Sequence, residues 1–212
     1  GNSYDVSDYV NFEGDNVIVI RVDATQYEGW FYEGAGIYRH VWLNITDKIF
    51  IPNDGVFVHS KVNGKNATVT IETEVENKNL KQSNAVVYSI ITDRNGKQLA
   101  KTSEQKVALS VNEKTTIKQN VNLSNVTLWS LENPYLYKVI SVIKQNNQIV
   151  HQTKTRFGIK TVTFDAKKGF FLNGKHIKIQ GTNNHQDHAG IGSALPDFMQ
   201  YYRIKLLKEM GS

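Results

Sequence analysis

The residues best equipped for chemistry lie between Thr182 and His188, where Thr-Asn-Asn-His-Gln-Asp-His gathers two imidazoles, a carboxylate and three side-chain amides. A neutral imidazole donates one hydrogen bond and accepts another, so His185 suits a hydroxyl-rich ligand. By type alone, His185, Asp187 and His188 would also suit zinc, for which imidazole and carboxylate are good ligands. Their spacing is too close for a regular site on one strand and no fourth ligand is evident, so no metal site is assigned. Nearby acids read structurally, Asp197 as a helix-start residue and Glu209 as part of a solvated helix face. A second candidate is residues 28–36, EGWFYEGAG, where three glycines flank Trp30, Phe31 and Tyr32. Such aromatics can stack on the apolar face of a sugar ring, but the stronger reading is that they close a β-sandwich core.

The polar loop needs elements to hold it. From Gly158 onward, FFLNGKHIKIQG reads as a hairpin turning at Asn173-Gly174 and leading into a buried strand over 177–181. After the loop, Pro196 and Asp197 occupy favoured first-turn positions. Met199, Tyr202, Leu206, Leu207 and Met210 then follow helical spacing up to Gly211, a helix stop. Strand, loop and helix make one βα unit, the kind that builds a barrel when repeated eight times, and the loop follows the carboxyl end of its strand, where barrel enzymes place their active sites.

Upstream the chain reads as β throughout. Residues 16–22 (NVIVIRV) and 37–45 (IYRHVWLNI) predict two strands. Residues 56–62, 67–77, 85–93, 98–105, 115–123, 135–145 and 149–157 predict about seven more, at the short spacing of an immunoglobulin-like sandwich. Asn95-Gly96 and Asn146-Asn147 sit where two-residue hairpin turns are wanted, since both types tolerate positive φ. No catalytic constellation occurs in this stretch, which reads as a structural spacer.

Composition narrows the class further. The 212 residues are 40% hydrophobic and 21% charged, an ordinary globular balance. The absence of cysteine excludes disulfides, thiolate metal sites and cysteine nucleophiles. A net charge of +5 would permit nucleic-acid binding, but the lysines are spread among Asn, Gln and Glu without a basic tract, so no nucleic-acid partner is expected. No apolar run approaches the roughly 20 residues that cross a bilayer, and no signal peptide is visible, so a soluble chain without a membrane partner is expected. The compartment stays open between periplasm and cytoplasm, and the abundance of Asn and Lys fits a bacterial source.

Three segments together resemble family 2 glycoside hydrolases of the β-galactosidase type. WFYEGAGIYRHVWL (30–43) resembles the end of that family's sugar-binding jelly roll. LWSLENPYLYKV (128–139) resembles the Trp-Ser-x-Glu-Asn-Pro-x-Leu-Tyr segment of its immunoglobulin-like domain. RFGIKTV and FFLNGKHIKIQGTNNHQDHAGIGSAL, from Arg156, resemble the start of its catalytic (β/α)8 barrel. The opening residues also resemble late jelly-roll strands, so the likeness covers essentially the whole chain.

The resemblance implies a mainly β fold, with an immunoglobulin-like β-sandwich flanked by a partial jelly roll and a truncated first βα unit. The expected divisions are 1–48 for the jelly-roll part, 49–157 for the sandwich and 158–212 for the barrel start. A chain beginning inside one domain and ending inside another leaves apolar residues such as Met199, Leu206 and Leu207 without partners. They would pack on the sandwich, on a second copy as a homo-oligomer, or stay mobile.

For the parent protein the resemblance implies hydrolysis of terminal β-linked sugars with retention, β-galactosides first. Retaining enzymes need two carboxylates about 5 Å apart. The family's pair are glutamates on later barrel strands, so no catalytic residue is assigned within these 212 residues and the chain alone is expected to be inactive. A family histidine matching His185 contacts the glycone hydroxyls. Asn183, Asn184 and Asp187 are supporting substrate-binding candidates. The following QDHAGIG departs from the better-known Glu- and His-rich pattern, which leaves the sugar open among galactoside, glucuronide and mannoside. Magnesium and sodium would serve the complete enzyme, held mostly by other segments. The competing readings are a carbohydrate-binding module without chemistry and a purely structural sandwich.

Overall fold

The computed structural model describes residues 3–23, 25 and 36–212. The chain divides into two compact units, Leu43–Gly181 and a second made of Gly1–Trp42 with Thr182–Ser212.

The first unit is built from β1 (Ile49–Phe50), β2 (Val56–Asn63), β3 (Asn66–Asn77), β4 (Ser83–Thr92), β5 (Gln98–Lys101), β6 (Gln105–Leu109), β7 (Lys114–Leu123), β8 (Tyr137–Gln145) and β9 (Gln148–Phe157). β3 is flanked by β7 on one side and by β2 and β1, each paired directly to it, on the other. In the second sheet β9 pairs β8, β8 pairs β4, and β5 and β6 share the far edge of β4. All these pairings are antiparallel, as expected of a sandwich joined by short turns.

Period-two alternation decides which side chains are stripped of water. Along β3 the odd positions Ala67, Val69, Ile71, Thr73, Val75 and Asn77 are buried. The even positions from Thr68 to Glu74 reach across to β7. Thr68 and Thr70 donate to Asn122 and Asn120 at 2.8 and 2.7 Å, and Glu72 and Glu74 pair with Lys118 and Lys114 at 3.0 and 2.8 Å.

The core has two apolar clusters. One holds Val69, Ile71, Ile91, Tyr137, Val139 and Phe157, the other Ile49, Val75, Val87, Leu109, Ile117 and Ile143. Between them each inner strand contributes one polar residue: Thr73 of β3, Ser89 of β4, Gln119 of β7 and Ser141 of β8, all buried. The Ser141 hydroxyl lies 3.4 Å from that of Thr73 and 3.3 Å from that of Ser89. Gln119 accepts from the Ser89 hydroxyl and donates to the carbonyls of Val87 and Ser103. Every member has a partner inside the layer, the condition under which burying polar groups is tolerated.

The expected single strand over 98–105 is instead two segments, β5 and β6, separated at Thr102–Glu104. At the break Thr102 keeps β4 satisfied: its amide donates to the Ser89 carbonyl and its hydroxyl accepts the Ser89 amide, at 2.9 and 2.8 Å. The Asn146-Asn147 turn has the expected form, both residues at positive φ (48° and 63°) between the paired Gln145 and Gln148. Around Asn95-Gly96 the connection is longer. The Asp93 carboxylate accepts the amides of Asn95 and Lys97, closing a loop over 93–97 in place of a two-residue turn.

The segment LWSLENPYLYKV has a structural role in this unit. The Tyr137 hydroxyl accepts the Thr127 amide at 2.7 Å and donates back to the Thr127 carbonyl, the tyrosine-corner arrangement of immunoglobulin-like sandwiches. Arg94 covers the Tyr135 ring at 4.1 Å. Trp129 packs closely on Gly158: a Cβ there would lie 3.0–3.1 Å from three atoms of the Trp129 side chain.

A small sheet follows, β10 (Val162–Asp165), β11 (Gly169–Leu172) and β12 (Lys175–His176), turning at Asn173 and Gly174, both with positive φ. Asn173 fastens it: its side-chain oxygen accepts the Thr161 amide at 3.0 Å, and its side-chain amide donates to the Trp129 carbonyl at 2.9 Å. The buried strand expected over 177–181 does not form. These residues carry no ladder, and Ile179 is 70% exposed. A barrel strand is hydrogen-bonded to a parallel neighbour on each side, and the described residues supply neither.

In the second unit the same physics applies. Residues 16–22 have strand composition but no pairing partner among the described residues, and Val17, Ile18 and Val19 are exposed. Nor do residues 37–45 form a strand. The helix does form, as α1 (Asp197–Glu209), with Pro196 one position earlier than expected, at the N-cap. Its end is a Schellman-type stop: Gly211 has φ +100°, its amide donates to the Lys208 carbonyl, and the Ser212 amide donates to that of Leu207.

Two stability predictions follow from the core. Ile143→Ala, at a fully buried position, is expected to cost about 2–5 kcal/mol, whereas Phe57→Ala on edge strand β2, 62% exposed, should stay within about 0.5 kcal/mol. Urea denaturation of the two variants, showing equal losses, would contradict this assignment of inside and outside. The second concerns His151, whose imidazole is pushed below its ordinary pKa by burial, against a weaker opposing pull from the Asp47 carboxylate. The unfolded chain therefore takes up the proton first as the pH falls. Stability from this source is complete above the ordinary imidazole value and is lost between that value and the lower folded one. Urea midpoints at about pH 7.5 and pH 5 should differ less for His151→Gln than for the unaltered chain.

Candidate functional site

The polar loop lies in the second unit, between a stretch without regular structure and α1. Its downstream end is fixed by the backbone. The His188 amide donates to the Gly192 carbonyl at 3.0 Å and the Gly192 amide donates back at 2.9 Å, so residues 188–192 close a tight turn. Gly190 and Gly192 take φ of +82° and +69°, a conformation that side chains with a Cβ rarely adopt. Within the loop Asn183, Asn184 and His185 are exposed, and Asp187 and His188 are half-buried.

The upstream end of the loop is held from the helix. Arg203 of α1 donates through Nη2 both to the side-chain oxygen of Asn184 and to the backbone carbonyl of His185, the latter at 2.6 Å. Its other terminal nitrogen, Nη1, is shielded from solvent without an acceptor among the described residues. The half-buried face of α1 is Met199, Gln200, Arg203 and Leu207, while Tyr202, Leu206 and Met210 are exposed. The expected apolar stripe thus keeps Met199 and Leu207 but has Arg203 at its centre. Residue type alone does not mark Arg203 out. Its spacing four residues after Met199 and four before Leu207 was the available signal.

The neighbouring acids are engaged elsewhere. Asp197, in the first turn of α1, meets His40 Nε2 at 2.9 Å and Arg39 Nη1 at 3.6 Å. A carboxylate there also complements the positive end of the helix dipole, consistent with its reading as a helix-start residue. Glu209 is exposed on the last turn with Lys205 at 3.8 Å. The Trp30–Tyr32 cluster lies outside the described residues. Trp42 is exposed, with its ring 5.2 Å from that of His40.

Comparison with known proteins bears on what this arrangement serves. The sequence pattern of "Glycosyl hydrolases family 2" matches residues 49–160, the sandwich together with the residues that follow β9. The chain belongs to glycosyl hydrolase family 2. A β-galactosidase of Bacteroides ovatus is 33% identical over 99% of this chain and 25% of its own length. A β-glucuronidase of Formosa agariphila is 29% identical over 98% of the chain and 24% of its own length. Among solved structures, a glycosyl hydrolase family 2 member from Bacteroides cellulosilyticus superposes with a TM-score of 0.90 at 32% identity, covering 97% of this chain and 28% of that one. A Bacteroides uniformis β-glucuronidase superposes with a TM-score of 0.80 at 29% identity over 90% of the chain and 24% of its own.

The chain therefore spans about a quarter of the length of these family 2 relatives. The mainly β class expected from the sequence is the one found. Among the described residues, no three His, Asp or Glu side chains converge as a set that could hold a metal ion. No helix among the described residues is long and apolar enough to cross a membrane.

Proposed function

We propose that this chain belongs to a longer retaining glycosidase acting on terminal β-linked sugars, β-galactosides first, and that it supplies the immunoglobulin-like domain and one wall of the sugar site. The observation that carries the reading is the family match over the sandwich, followed within the same chain by the polar loop that α1 holds in place. Relatives named β-galactosidase and β-glucuronidase align over nearly the whole chain, which supports a β-glycoside substrate and keeps glucuronide as the second choice. In this reading residues 1–48 close the sugar-binding jelly roll, 49–157 form the sandwich and 158–212 begin the catalytic barrel.

The chemistry divides accordingly. Two glutamates from later barrel strands would act as proton donor and nucleophile, giving a glycosyl-enzyme intermediate that water then hydrolyses. His185, exposed on the loop, would bind a glycone hydroxyl, its neutral ring donating one hydrogen bond and accepting another. Asn183, Asn184 and Asp187 would support it, with Asn184 acting through its bond to Arg203.

The test is hydrolysis of nitrophenyl β-galactoside, β-glucuronide and β-mannoside by the complete gene product and by this chain, side by side. The expected result is turnover by the complete product alone, fastest on the galactoside, with kcat/KM reduced about 10–1,000-fold by His185→Ala. Turnover by the 212-residue chain itself would overturn the placement of both glutamates outside it. A complete product inactive on all three sugars would favour the binding-module alternative.

A further inference from the structure

We infer that Arg203 is a positioning residue for the sugar site, setting the geometry of the His185 loop from the adjacent helix. The inference rests on the glycosidase reading above for its functional consequence, though not for its geometry. One guanidinium nitrogen takes two acceptors of different kinds on consecutive residues, the side-chain oxygen of Asn184 and the main-chain carbonyl of His185. The first fixes which way the Asn184 amide faces. The second fixes the peptide plane after His185, and so the direction from which its imidazole leaves the backbone.

A loop otherwise without regular structure is thereby tied to one turn of a helix. The helix is anchored at its own start, where Asp197 contacts His40 and Arg39. The bonds through Nη2 are exposed, but Nη1 is shielded from solvent and the residue is half-buried, on the same helix face as Met199 and Leu207. Lysine cannot replace this arrangement. Both bonds leave one nitrogen, Nη2, and the lysine side chain is one atom shorter, so its ammonium would stop short of that position.

The consequence is specific to the way the residue acts. The contacts of Arg203 are to Asn184 and His185, so its loss should act through His185 and not beside it. In the complete gene product Arg203→Met and Arg203→Lys are each expected to lower kcat/KM about 10–100-fold, chiefly by raising KM, without a comparable fall in the melting midpoint. In a His185→Ala background Arg203→Met should add less than about threefold, the non-additivity expected of two residues acting as one unit. Full additivity, or full activity retained by Arg203→Lys, would overturn the inference. Amide hydrogen exchange across residues 182–188 separates this result from failure of the glycosidase reading. If the complete product hydrolyses no glycoside, faster exchange in this loop on Arg203→Met still upholds the positioning role, and unchanged exchange overturns it.

Discussion

The two sheets of the sandwich stay together only because β3, β4, β7 and β8 turn matched faces toward each other, and those faces are not uniformly apolar. Apolar burial drives the association at about 25 cal/mol per Å² removed from water, and it has no preferred direction. Direction comes from the layer of Thr73, Ser89, Gln119 and Ser141, where each polar group depends on another strand for its hydrogen bond. Loss of any one member leaves a buried donor or acceptor unmatched, which costs about 1–3 kcal/mol. The tyrosine corner, the approach of Trp129 to Gly158 and the Asn173 anchorage of the small sheet all build outward from this unit.

The parts of the fold legible in the sequence are those whose determinants are local or paired within the chain. β2, β3, β4, β7, β8 and β9 can be read off because their alternation is long and their partners lie in the same 212 residues. Asn146-Asn147 and Asn173-Gly174 announce turns because two consecutive residues at positive φ leave few choices of residue type. The failures have one cause. Residues 16–22, 37–45 and 177–181 have strand composition, but composition gives a preference while a partner gives the ladder, and the described residues offer none. The division of 98–105 was hidden for a related reason, since its cause is the Thr102 hydroxyl standing in at the Ser89 amide.

At the candidate site the sequence showed the candidate binding residues more readily than what holds their loop. His185, Asn183, Asn184 and Asp187 are recognisable because imidazole, amide and carboxylate crowd a short loop. Arg203 was hidden because a charged residue on an amphipathic helix is ordinarily assigned to water. Here its spacing from Met199 and Leu207 puts it on the packed face, with two acceptors of the loop within reach. A site therefore reads more completely when the helix after a polar loop is searched for donors that share a face with its apolar residues.

The polar layer also bears on which alignments of the strands are admissible. Alternation alone fixes a strand's position only up to a shift of two residues, because such a shift returns every side chain to the same face of the sheet. In a wholly aliphatic core the neighbouring alignments would be nearly degenerate. Here a shift of two would carry Thr73 into the place of Ile71 or Val75 and set its hydroxyl among methyl groups, while Ser141 lost a neighbour. The four residues therefore act as a single notch in an otherwise repeating track, and only one alignment of the strands closes on it.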